Sequence, residues 1–259
     1  GAFLAGGPPV PRGPHAPAAL VAERVFASLR YVKAGAMLVG GDLPERWAAA
    51  VPGVPMVLGY GLTEAAPEVC NNPPAAPRAG TVGVPLPATG LRLRDPADPE
   101  REAAGDGELH VRGPQVMRGY WNRPQETATA LLPDGWLRTG DLARFDAHGY
   151  VRIVDRLKDL IKFRGTSVVA AVVEAALRRH ASVADAVVVG APHPVDGEVP
   201  VAFVVPAAGA VLDADALRDH LALHLTPREI PRRFEPLAEV PRNHVGKPLR
   251  RVLRERAAR

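Results

Sequence analysis

Apolar and polar positions follow three textures along the chain. Over 18–29 the spacing predicts a helix. Two short apolar strands follow, AMLVGG at 36–41 and VPMVLGYG at 54–61, each passing into glycine as buried strands that deliver a loop to a ligand do. Between 79 and 155 short β-type runs are split by Gly, Pro and Asp: TVGVPLP, GLRLRDP, GELHVRG, GWLRTGDLARFD and GYVRIVD. That spacing predicts a small β-barrel or twisted sheet packed on the first region.

From Arg156 the texture changes. Val169, Val172, Val173, Ala176 and Leu177 recur at helical spacing and predict one apolar helix face. ADAVVVG (184–190) and VPVAFVV (199–205) read as strands. Asp213 is placed to cap a helix through Leu225 with Leu217 and Leu221 inward. Helix, strand, strand, helix predicts a compact α+β unit of about a hundred residues. The fold class is therefore α/β of mixed α+β type, divided into 1–155 and 156–259. The charged, glycine-ended DRLKDLIKFRG (155–165) is the candidate hinge.

Composition narrows the function classes. Of 259 residues, 47% are hydrophobic and 23% charged, as in a globular protein with a real core. No apolar run reaches the length of a bilayer span, which leaves room for a peripheral membrane contact only. One cysteine, Cys70, excludes an internal disulfide and a cysteine-based zinc site, so a reducing cytoplasm is expected. The net charge of +4 is uneven, with ten basic against four acidic residues between Pro227 and Arg259. The few aromatics are not interleaved with these basic residues, so a nucleic-acid platform is not expected and a solvated basic face is. The chain opens on Gly1 and a loop-like GAFLAGGPPVPRGPHAP, as a fragment of a longer protein would.

Four segments carry candidate chemistry. Gly59–Glu64 (GYGLTE) follows an apolar strand. Its glycines allow close backbone approach, Thr63 offers a hydroxyl to phosphate, and Glu64 can hold phosphate-bound Mg²⁺. In Gly135–Asp141 (GWLRTGD), Asp141 sits where a carboxylate can accept from two vicinal ribose hydroxyls, or cap its own turn. Asp155–Gly165 alternates charge, as a hinge or as a solvated surface does. In Pro241–Lys247 (PRNHVGK) a loop bounded by Pro and Gly presents Lys247, by itself an ordinary surface lysine.

In this order the segments are no longer ordinary. With GELHVRGPQVMRGYW they resemble the adenylate-forming superfamily of acyl-CoA synthetases, luciferases and peptide-synthetase adenylation domains, over about 40–254. The resemblance implies that 1–155 is the C-terminal portion of a large AMP-binding domain and 156–259 a small mobile lid. It implies ATP, Mg²⁺ and coenzyme A acting on a carboxylic acid, most like the medium- and long-chain fatty acids of fatty-acid metabolism. Leu62, Asn72-Pro73 and the segment 196–205 carry that last preference. Loading of a carrier protein, or a non-catalytic remnant, are the alternatives.

By the same resemblance, Tyr60 stacks on adenine, while Gly41 and Gly61 line the nucleotide site. Thr63 and Glu64 handle phosphate and metal, and Asp141 and Arg156 hold the ribose. Lys158 is the hinge position, and Lys247 contacts the carboxylate and α-phosphate. Lys162 and Gly165 face the site or the thiol tunnel in the second step. The family's glycine-rich phosphate loop has no counterpart in these residues, so the 259-residue chain alone is expected not to release pyrophosphate from ATP. After the hinge the usual Pro-x-Glu-x-Glu reads Ala170-Ala171-Val172-Val173-Glu174, losing a rigid first-turn residue and a charge. Gly40-Gly41-Asp42 carries an aspartate where a small residue is usual.

Overall fold

The computed structural model describes residues 29–35, 43–243 and 246–258. Except for Leu29, the helix expected over 18–29 lies outside these residues. So do the strand at 36–41, Gly40, Gly41 and Asp42.

The described chain forms three sheets. The first contains β1 (Val32–Ala34), β2 (Met56–Tyr60), β3 (Cys70–Asn71) and β4 (Val84–Pro85) in that order. β1 and β2 run parallel, with helix α1 (Leu43–Ala50) between them in the chain. The other pairs are antiparallel. The glycine-ended strand expected at 54–61 is β2, and it delivers the GYGLTE loop.

The second sheet is antiparallel and has the order β6-β5-β7-β8-β9. Its strands are β5 (Gly90–Asp95), β6 (Asp98–Glu102), β7 (Gly107–Arg112), β8 (Leu137–Phe145) and β9 (Val151–Arg156). Of the two forms expected, the twisted sheet is found and the barrel is not. Closure would need β6 to pair with β9. β6 instead carries DPERE, a charged and mostly exposed strand of the kind that ends a sheet. The free side of β9 is also taken, through Val82 N to Val151 O at 2.8 Å and Val151 N to Gly83 O at 2.8 Å. These bonds tie the first two sheets together. Helix α2 (Pro124–Ala130), with proline in its first turn, precedes β8.

The third sheet follows the candidate hinge segment, beginning within it at Ile161. β10 (Ile161–Phe163), β11 (Thr166–Val168), β12 (Val183–His193) and β13 (Gly197–Pro206) take the order β11-β10-β13-β12, and β14 (Arg233–Pro236) lies parallel to β13. β12 and β13 are the two strands read from the sequence, lengthened into one hairpin. Val187, Val188, Val201 and Phe203 are buried on both faces of the sheet, which is why both strands read as unbroken apolar runs.

Helices α3 (Ala170–Leu177), α4 (Ala214–Ala222) and α5 (Arg250–Ala257) complete this unit, α3 and α5 packing on β12. Asp213 caps α4 as expected, accepting from Asp215 N at 2.9 Å and Ala216 N at 3.1 Å, with Leu217 and Leu221 buried. α4 ends at Ala222, short of Leu225. α3 is rotated from the expected face: Val169 is still extended and Val172 is exposed, while Ala170, Val173, Ala176 and Leu177 go inward.

The buried apolar residues fall into two clusters with no member in common. One is made by Val69, Cys70, Leu109, Val111, Leu137 and Val151 with their neighbours. The other, from Ile161 onward, contains Leu177, Phe203, Leu217, Leu221 and Leu253.

Candidate active site

The centre of the site is Asp141, on β8. Strand pairing slips here twice. Glu108 pairs with Leu142 and His110 with Arg138, so three residues of β7 (108–110) face five of β8 (138–142), and a further irregularity follows between Leu142 and Ala143. A bulge of this kind bends a strand and re-aims its side chains. Asp141 Oδ2 accepts from the Tyr60 hydroxyl at 2.6 Å, and Oδ1 from Arg156 Nε at 2.9 Å. Three residues from β2, β8 and β9, singled out separately in the sequence, thus meet in one cluster.

A carboxylate offers about four lone-pair positions, so each oxygen of Asp141 keeps one for a further donor. Burial first, then the Asp141 charge and hydrogen bond, push the Tyr60 phenol well above its ordinary value, so it stays a donor. Its contact with Asp141 adds a supporting role to the adenine-stacking one expected from the sequence.

Behind this cluster lies a buried polar network that the sequence reading did not single out. Glu108 is 2% exposed and His110 fully buried, both on β7. Glu108 Oε2 takes a two-pronged contact from Arg138, Nε at 3.1 Å and Nη2 at 2.9 Å, and Oε1 accepts from Gly140 N at 3.3 Å. His110 Nε2 stands 3.4 Å from the same carboxylate, and Nδ1 accepts from Arg92 Nε at 3.4 Å. Burial alone would raise the Glu108 carboxyl, but the adjacent His110 ring and the hydrogen-bonded Arg138 guanidinium outweigh it and hold the group below its ordinary value. The signal was the alternation GELHVR, which reads as one outward polar face; β7 lies mid-sheet and is covered on both sides.

The GYGLTE loop turns through a short 3₁₀ segment, Thr63–Ala65. Thr63 is exposed, and the Glu64 carboxylate accepts from the Tyr120 hydroxyl at 2.8 Å. No group of three or more metal-ligating side chains occurs among the described residues. A lone carboxylate suits Mg²⁺, which is held by one or two carboxylates with substrate phosphates and water, so Glu64 fits the ion. Gly61 has a different reason to be glycine: a Cβ there would stand 1.7 Å from the Pro67 carbonyl oxygen, where the loop crosses itself.

The remaining candidates belong to the third sheet and its approach. Lys158 is exposed in a 3₁₀ turn, Leu157–Asp159. Its carbonyl accepts from Arg254 Nη2 at 2.9 Å, and the same nitrogen reaches Asp159 Oδ1 at 2.6 Å. Lys162 and Gly165 flank the β10–β11 turn. Arg164 (φ 47°) and Gly165 (φ 75°) both have positive φ, as a two-residue type I′ hairpin requires. Lys162 Nζ bonds Ser167 Oγ at 2.8 Å.

Lys247 is exposed at the neck of a tight hairpin in which Arg242 bridges Pro248. Asn243 N donates to Lys247 O and Lys247 N to Asn243 Oδ1, both at 2.9 Å. Arg242 ties the hairpin to β12 through Asp185 at 2.5 Å. Among the described residues, no hydrogen bond or ion pair joins Lys162 or Lys247 to Asp141.

The two lysines also lie far apart. Phe163, next to Lys162, pairs with Gly197, whereas Asp185, which anchors the Lys247 hairpin, pairs with Val205. These positions are eight steps apart along β13. At about 3.3 Å per residue that is roughly 26 Å, opposite ends of the sheet.

The Tyr60–Asp141–Arg156 cluster thus belongs to the first two sheets, and Lys162 and Lys247 to the third-sheet unit. Residues 10–121 match the family model for the AMP-binding enzyme, and residues 172–247 that for the AMP-binding enzyme C-terminal domain. The chain belongs to the AMP-binding enzyme family. It is 42% identical over 231 residues to a long-chain-fatty-acid–CoA ligase of Yersinia pestis, covering 89% of this chain and 41% of that protein. It therefore spans about two-fifths of the length of such relatives. ATP-bound MatB from Rhodopseudomonas palustris superposes with a TM-score of 0.81 at 32% identity, covering 86% of this chain and 44% of that one. Apo MatB gives 0.66 at 33% identity, over 88% and 45%.

Proposed function

We propose that this chain is the C-terminal part of an AMP-forming acid–thiol ligase that activates a fatty carboxylic acid as its acyl-adenylate and transfers the acyl group to coenzyme A. The observation that carries the reading is the two-ended unit beyond the hinge, with Lys247 and Lys162 at opposite ends of one sheet. Two chemical steps that need different cations at one place call for such a unit. Residues 1–155 belong on this reading to the large AMP-binding domain and 156–259 to the lid, and the two separate cores support that reading.

In the first step a substrate carboxylate oxygen attacks the α-phosphorus of ATP, and pyrophosphate leaves with the electron pair of the broken P–O bond. Like charges oppose that approach. Lys247, a compact cation on a mobile stem, offsets the repulsion and stabilises the charge building on the α-phosphate. Asp141, aimed by Tyr60 and Arg156, holds the ribose. Thr63 donates to phosphate, and Mg²⁺, when bound at Glu64 and the phosphates, supplies further charge neutralisation. In the second step the thiol sulfur attacks the acyl carbonyl, its proton passes to solvent and AMP departs. Rotation about Lys158 removes Lys247 and brings Lys162 and Gly165 to the site. The higher TM-score with ATP-bound than with apo MatB supports reading the present arrangement as the first-step one. The buried, unpaired Cys70, its thiol pushed up to about 12 by burial, suits a reducing cytoplasm.

Of the three features that favoured fatty acids, two have structural duties. Asn72 is 1% exposed and bonds Leu58 O, Thr81 O and Arg78 N, and 199–205 is core strand. The 42% identity to a long-chain-fatty-acid–CoA ligase is the stronger support for that class.

In the whole protein that carries this chain, Lys247→Ala is expected to lower ATP–pyrophosphate exchange by 10²-fold or more, the scale of losing a preorganised transition-state contact. Conversion of supplied acyl-adenylate to thioester should stay within a few-fold. Equal loss of both steps in a folded variant would sink the assignment.

A further inference from the structure

We infer that Glu108 is a positioning residue for nucleotide binding: its buried carboxylate shapes the β8 bulge that aims Asp141 at the ribose. The inference rests on the reading of Asp141 as the ribose holder and assigns the residue that makes it so.

The geometry is specific. Asp141 points toward Tyr60 and Arg156 because five residues of β8 are fitted opposite three of β7. Such a bulge leaves backbone groups outside the ladder, and buried ones need other partners. Here the partners are side chains. Gly140 N, next to Asp141, donates to Glu108 Oε1 at 3.3 Å. Asp141 N donates to Thr139 Oγ1 at 3.1 Å, and that hydroxyl donates to Leu109 O at 2.7 Å, beside Glu108. Gly140 takes a positive φ of 70°, the conformation that turns the chain out of the regular strand.

The other oxygen of Glu108 holds Arg138, two residues before Gly140, so one carboxylate grips both sides of the bulge. Glu108 is 2% exposed and points away from solvent, so nucleotide contact is not its role. A buried carboxylate is costly unless fully partnered. This one is partnered by the strand that carries Asp141.

A residue that only supports the sheet would affect all nucleotides alike. One that aims Asp141 should affect only nucleotides with ribose hydroxyls. The test compares kcat/KM for ATP and for 2′,3′-dideoxy-ATP in ATP–pyrophosphate exchange, using the whole protein and its Glu108→Gln, Thr139→Val and Asp141→Asn variants. Glu108→Gln is expected to lower the ATP value about tenfold and the dideoxy-ATP value less than twofold, collapsing most of the preference, as Asp141→Asn does.

If Asp141→Asn collapses the preference while Glu108→Gln lowers both nucleotides equally or neither, the role of Glu108 is overturned and the ribose reading stands. If Asp141→Asn leaves the preference intact, the ribose reading itself fails, and the inference with it. Should Glu108→Gln not fold, by loss of its circular dichroism signal, Thr139→Val decides by the same ratio. A collapsed preference would support bulge-directed aiming, and a retained one would overturn it.

Discussion

Tyr60, Asp141 and Arg156 show how much a single contact can change the meaning of a residue. In the sequence they are a tyrosine in a glycine loop, a turn aspartate and a hinge arginine, 81 and 15 positions apart as measured from Asp141. Folded, they share one carboxylate. The Tyr60 contact is short and made to a charge, and such bonds contribute about 1.5–3 kcal/mol. Tyr60→Phe keeps the ring for adenine and loses only the donor. We expect it to reduce kcat/KM for ATP by roughly tenfold, about 1.4 kcal/mol, while the affinity for a nucleoside lacking ribose hydroxyls changes little. An undiminished kcat/KM would mean that Arg156 alone orients Asp141.

At the scale of elements, the strands and helices of the third-sheet unit were legible because their burial matches their period. β12 and β13 are apolar throughout and buried on both faces, and α4 shows its cap and its inward leucines. α3 was legible in existence but not in facing. Glu174, a polar position by any pattern, is 5% exposed there and bonds Val188 N at 2.9 Å and Arg250 Nη1 at 2.7 Å.

Asp185 links three such elements. It accepts from Arg178 at 3.0 Å beyond α3 and from Arg242 at the base of the Lys247 hairpin. Burial works to raise its carboxyl, but the bonds from Arg178 and Arg242 prevail and hold it below the ordinary value. A depressed folded value means stability that is present above the unfolded pKa, about 3.9, and lost as pH falls through the folded one. Asp185→Asn should therefore destabilise the third-sheet unit at pH 7 by no more than about 1 kcal/mol, since its arginine partners are a third or more exposed. In urea unfolding, the difference from the parent should narrow between pH 4 and pH 3. Leu217→Ala, a fully buried truncation, should cost about 2–5 kcal/mol with far less pH dependence.

For the whole molecule the decisive feature is the approach to the third-sheet unit. The two cores are joined through the segment around Lys158, and α5 reaches back to clasp it. Arg254 holds the Lys158 carbonyl and Asp159, and Arg250 lies 4.0 Å from Asp159. Asp155, 2% exposed on β9, accepts from Ala171 N at 3.2 Å in the first turn of α3. An acceptor from β9 thus serves the start of α3, where the sequence reads Ala170-Ala171-Val172-Val173-Glu174. Arg254→Ala should loosen this arrangement without unfolding the lid. We expect faster amide exchange at Leu157–Leu160, with the core of β12 and β13 as protected as in the parent. Unchanged exchange at the hinge would show that the clasp is incidental.

Tyr60, Asp141 and Arg156, singled out one by one in the sequence, meet in the fold, and the order of motifs, the mixed α/β class and the family were legible in the sequence alone. These depend on local chemistry: glycines before a turn, a capping aspartate, alternating or continuous apolar runs, a lysine on a bounded loop. Only the tertiary structure decided that the second sheet stays open, because the edge of β9 is occupied by Val82 and Gly83. It alone showed Glu108 and His110 turned inward behind Asp141, and Lys247 and Lys162 set at opposite ends of one sheet. Those facts depend on which side of a strand is covered and which residues pair across it. Such pairings join positions tens of residues apart, and no local pattern encodes them.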